Sequence, residues 1–172
     1  MPHLTKFDEE LGVVVMRYHG KIGLDEFRSV LDELSGLPGF RPGLNLLSDF
    51  GTAETPLTGD EIRTLAEYAL PIHRAWGVGK WAFIAPSTLT YGLARMYAAL
   101  THEAPLAVQV FKAAAEVDEW LELGLAAEKV LARAQAPKPK RPAKAKPKAK
   151  AKPKAKAKAK AKAKAKAKKR HR

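Results

Sequence analysis

Apolar positions in the first 134 residues recur with two spacings, alternate residues and every third or fourth, and the switches between them predict the elements. Val13, Val14, Val15, Met16 and Tyr18 are β-formers behind a glycine. With His3 to Glu9 they predict an opening hairpin about Glu10, Leu11 and Gly12. After a break at Gly20 to Gly23, Asp25 and Glu26 fall in the first turn of a helix whose stripe is Phe27, Val30, Leu31 and Leu34. Leu44 to Ser48 is nearly continuously apolar, as in a strand covered on both faces, and is expected at the centre of the sheet. Thr58 and Glu61 have the spacing of a capping box, in which hydroxyl and carboxylate each serve the other's backbone amide. The helix they start turns Ile62, Leu65, Ala66 and Ala69 inward, and Pro71 is expected to kink or end it.

The pattern then repeats. Lys80 to Ala85 predicts a buried strand, and Pro86 and Ser87 open a helix with Leu93, Met96, Tyr97 and Leu100 on one side. Leu106 to Phe111 predicts the last strand, and a helix through Val117, Trp120 and Leu121 runs toward Gly124, with a short helical continuation from Leu125 to Ala134. The order ββαβαβαβα predicts an α/β fold: a mixed sheet of about five strands, parallel after its first hairpin, with four helices covering it.

Beyond Ala134 both spacings stop. From Gln135 onward the chain holds 16 Lys and 3 Arg with no Asp or Glu, which leaves 12 basic against 18 acidic residues in Met1 to Ala134. The net charge of +13 is therefore a +19 tail on a −6 domain. With no Val, Ile, Leu, Phe, Trp or Tyr to bury, the tail is expected to be disordered when free. The domain division is thus 1–134 and 135–172. There is no cysteine, so disulfides, thiolate metal sites and cysteine nucleophiles are excluded. Neither a signal peptide nor a membrane-length apolar run is read in the sequence, and the cytoplasm is the expected location.

Several short stretches, in their order, resemble the STAS domain, specifically its SpoIIAA-like or STAS/SEC14 group of bacterial proteins. They are Gly20-Lys21-Ile22, Leu46-Leu47-Ser48-Asp49, Gly79-Lys80-Trp81-Ala82, Tyr91 to Met96, and Val110-Phe111 followed by Glu119-Trp120-Leu121. The resemblance covers Met1 to Gly124 and implies a binding or regulatory module with a protein partner or a second copy of itself. The anti-sigma-factor antagonists of that family carry a phosphorylated serine just after the central strand. Here the loop reads Ser48-Asp49-Phe50-Gly51-Thr52-Ala53-Glu54-Thr55-Pro56, without that motif, so phosphorylation-driven partner switching is not carried over; Thr58 reads as a helix cap.

Catalytic chemistry finds no pattern. His3, His19, His73, His102 and His171 lack metal-ligand spacing, and no nucleophile elbow or phosphate loop occurs, so no enzyme, cofactor or metal is expected. Asp49, at the carboxyl end of the central strand, together with Trp81, Tyr91 and Arg95, is the candidate small-ligand pocket. The tail carries the stronger signal. Lys138, Lys140, Arg141, Lys144, Lys146, Lys148, Lys150, Lys152, Lys154, Lys156, Lys158, Lys160, Lys162, Lys164, Lys166, Lys168, Lys169, Arg170 and Arg172 are candidate phosphate contacts. Without aromatic residues to stack on bases, they point to non-specific binding of nucleic acid through counterion release. The tail's Lys-Ala-Pro composition resembles that of linker histones and bacterial histone-like proteins. The sequence therefore predicts a non-catalytic STAS-like module tethered to a nucleic-acid-binding polycation on the nucleoid. Its alternative is a small-ligand or lipid-binding module with an incidental tail.

Overall fold

A computed structural model describes residues 3–124 and 126–135; the predicted tail contacts lie outside the described residues. Strands β1 (His3–Asp8) and β2 (Val13–Tyr18) form the expected antiparallel hairpin, with Phe7 opposite Val14. Strands β3 (Asn45–Asp49), β4 (Gly79–Ile84) and β5 (Leu106–Phe111) then add in parallel, giving the sheet order β1-β2-β3-β4-β5 with β3 in the middle.

Strand alternation divides the core in two. One face carries Val14, Met16, Tyr18, Leu46, Ser48, Trp81 and Phe83; it is covered by α1 (Leu24–Ser35), α2 (Gly59–Trp76) and α3 (Thr88–Leu100). The other carries Val13, Val15, Leu47, Ala82, Ile84 and Phe111, and is covered by α4 (Val117–Leu121) and α5 (Ala127–Gln135). Helices on both faces are why the middle strands are buried on both sides, from Leu46 to Asp49 on β3 and from Trp81 to Ile84 on β4. Lys80 fixes α4 to the sheet, donating from Nζ to the Trp120 carbonyl at 2.9 Å, while Asn45 Oδ1 accepts from the Lys80 amide at 3.2 Å.

Two expectations need correction. Five α-helices, not four, are present among the described residues, because the last apolar stretch is split where Glu122 and Gly124 take positive φ between α4 and α5. Pro71 does not end its helix: α2 runs on past it to Trp76. Pro71 and Glu67, whose carbonyl loses its partner, are both exposed, so water can take that carbonyl. Meanwhile Ala69, His73 and Trp76 are buried on the opposite side and hold both halves of the helix in place.

Candidate functional site

The capping box of α2 fixes where the loop after β3 ends. Glu61 N–H donates to Thr58 Oγ1 at 3.2 Å and Thr58 N–H donates to the Glu61 carboxylate at 2.8 Å, which holds Glu61 below the usual carboxylate range. The loop from β3 to this cap is pinned at its other side by the Gly20-Lys21-Ile22 step: Ile22 N–H donates to the Glu54 carbonyl at 2.9 Å and Glu54 N–H to the Gly20 carbonyl at 2.8 Å. The loop thereby lies over the carboxyl ends of the parallel strands, the place where open α/β sheets hold ligands.

Beneath it, between the sheet and α1, α2 and α3, is a cavity of ≈ 50 Å³. Its walls are aromatic and aliphatic, with Tyr18 stacked on Phe50 (centroids 4.7 Å apart) and Trp81 edge-on to Phe83 (4.9 Å). Its polar groups are neutral hydroxyls. Burial raises the Tyr18 and Tyr97 phenols above their ordinary range, so both stay protonated. The Trp81 indole N–H donates to Ser48 Oγ at 2.9 Å, which settles the one indole donor in the wall. Thr55 and Thr90, each 5 % exposed, face each other at 3.0 Å between their Oγ1 atoms. Ser87, the N-cap of α3, accepts from the Thr90 amide at 3.1 Å and donates to Thr90 Oγ1 at 2.8 Å, extending the hydroxyl chain to the surface.

The four residues proposed from sequence do not share this space. Trp81 lines the cavity, whereas Asp49, Tyr91 and Arg95 do not. Asp49 is one residue past Ser48 on β3 and so projects from the opposite face, paired in register with Arg17. Its Oδ2 accepts from Arg17 Nε at 3.0 Å and its Oδ1 accepts from the Gly51 amide at 2.9 Å, so it closes a turn and an ion pair. Tyr91 lies under the Lys112 ammonium, 4.3 Å from its ring centre, and Arg95 is exposed. Sequence reasoning missed the hydroxyls Thr55 and Thr90 and, apart from Trp81, the aromatic wall; the alternation that puts Tyr18 on β2 and Trp81 and Phe83 on β4 on one face each was a visible signal, but the register that brings those strands' faces together was not. Among the described residues no group of three His, Asp or Glu comes together to hold a metal ion, and no helix is long and apolar enough to cross a membrane.

No protein-family model matches the chain, and no curated protein matches it. Among solved structures it is similar to the 2.25 Å crystal structure of an uncharacterized protein from the DUF3478 family with a SpoIIAA-like fold, from Shewanella loihica PV-4. The match has 17 % identity and a TM-score of 0.46, and covers 68 % of this chain and 90 % of that one.

Proposed function

We propose that this protein is a non-catalytic binding module, STAS-like in its element order and in the residues that resemble that family, carried to nucleic acid by its polycationic C-terminal segment. The observation that supports the nucleic-acid reading is the division of charge, with 19 basic and no acidic residues after Ala134 and an acidic excess before it. Lysine at every second position can follow a duplex that bears one phosphate charge per about 1.7 Å, and the release of counterions drives association without reading sequence. The folded domain is the cargo: it brings a binding surface for a protein partner or a second copy to the nucleoid, in the cytoplasm.

Fluorescence anisotropy on two labelled duplexes of unrelated sequence tests the reading. The full chain is expected to bind both within about twofold of each other, and a chain ended after Ala134 to bind neither. Strong preference for one duplex, or undiminished binding after truncation, would sink it.

A further inference from the structure

A second space adjoins the buried cavity. An outer cleft of ≈ 380 Å³ opens where the loop after β3 meets the start of α3, lined by Thr52, Glu54, Thr55, Ser87, Leu89 and Thr90 among others. Thr55 and Thr90 belong to both linings, so their paired hydroxyls are the partition between an apolar interior and a polar mouth. We propose that cavity and cleft are two halves of one binding site for a narrow, uncharged amphiphile. Its apolar end passes the Thr55–Thr90 pair, and its hydroxyl or amide stays among the hydroxyls of the cleft.

Three observations fix the class of ligand. The cavity is well below the roughly 150 Å³ that lets an apolar interior take up benzene, so it suits the end of an alkyl chain rather than a whole ring, with the remainder lying in the cleft. The combined lining contains no Lys, Arg or His, and its one carboxylate, Glu54, already stands 4.0 Å from Lys21. An anionic head would meet repulsion there, and a cationic one a carboxylate that is exposed, screened and shared. Finally, Leu89 is 63 % exposed at the rim, an apolar step at the mouth of a cleft that leads to an apolar interior. The hydroxyl chain from Ser87 through Thr90 to Thr55 can offer the Thr55 proton or lone pairs to a ligand oxygen. This site makes no use of the tail, so its test stands apart from nucleic-acid binding.

The probe is 1-octanol, titrated into the full ¹⁵N-labelled chain at high salt, with the three indole N–H resonances as reporters. Trp81 lines the cavity, whereas Trp120 packs against Phe111 on the other face of the sheet and serves as an internal control. The Trp81 resonance is expected to move saturably while that of Trp120 stays, with octanoate and octylammonium at least tenfold weaker. Ala94→Leu, which adds bulk to the cavity wall from α3, is expected to abolish the shift, and the milder Val30→Leu to weaken it severalfold. An absent or non-saturable Trp81 response, an equal response at Trp120, or equal binding of the charged analogues overturns the proposal. So does unchanged affinity in a folded Ala94→Leu chain; should that chain not fold, unchanged affinity in Val30→Leu does the same.

Discussion

His73 on α2 and Tyr97 on α3 meet inside the core, with Nε2 3.0 Å from the phenolic oxygen. The imidazole is fully buried among Trp76, Trp81 and Tyr97, and its Nδ1 has no hydrogen-bond partner. Burial pushes its pKa from 6.5 down to about 4. The unfolded chain therefore takes up a proton near pH 6.5 while the folded one refuses it until about pH 4. Stability is full above pH 6.5 and is lost as the pH falls through that window, by about 3 kcal/mol at 1.4 kcal/mol per pKa unit. Urea unfolding at pH 7.0 and 4.5 measures this. His73→Gln, which keeps a partner for Tyr97 but does not titrate, is expected to show a shallower fall; equal falls in both chains would mean that other groups carry the pH dependence.

The Arg17–Asp49 pair gives a second test, because it separates structure from ligand binding. Asp49→Ala leaves the Gly51 amide and a partly buried guanidinium without their acceptor, and is expected to cost about 1–3 kcal/mol in urea unfolding. Since Asp49 lies on the face of the sheet away from the cavity, the octanol response of Trp81 is expected to be unchanged. A folded Asp49→Ala chain that no longer binds octanol would put this residue back in the site.

Helix α5, beyond Gly124, is part of the second core cluster. The family resemblance ends at Gly124, yet Ala127, Val130, Leu131 and Ala134 of α5 are buried against the face that carries Val13, Val15 and Leu47. Arg133 also pairs with Asp8 and Glu10 at the opening hairpin. A chain ended after Gly124 is expected to lose several kcal/mol and to bind a hydrophobic dye, since each buried Val or Leu contributes about 1.5–3 kcal/mol. A chain ended after Gln135 is expected to melt as the full chain does. Equal melting of both truncated chains would make α5 dispensable.

These residues also show how far the sequence could be read. Periodicity placed β2 to β5 and the first three helices because each carries an apolar stripe, β1 followed from the turn at Gly12, and the Thr58–Glu61 spacing located one helix start to the residue. Pro71 misled because its local cost says nothing of the buried residues on the far side of the helix. The site was only half legible. Asp49 and Trp81 each sit where a ligand residue could, but whether two strand residues share a face depends on register, and Trp81 stands opposite Leu46 with Leu47 and Asp49 turned away. The Thr55–Thr90 partition joins a loop to a helix 35 positions on, a contact that no spacing rule encodes.

The salt dependence of duplex binding reads the polycationic segment's contact with nucleic acid. A tail that neutralises about 8 to 10 phosphates is expected to give log Kobs against log salt a slope of about −7 to −9 for the full chain, and no measurable binding for a chain ended after Ala134. A slope near zero, or the same affinity and slope in both chains, would contradict the assignment of nucleic-acid binding to the polycationic segment.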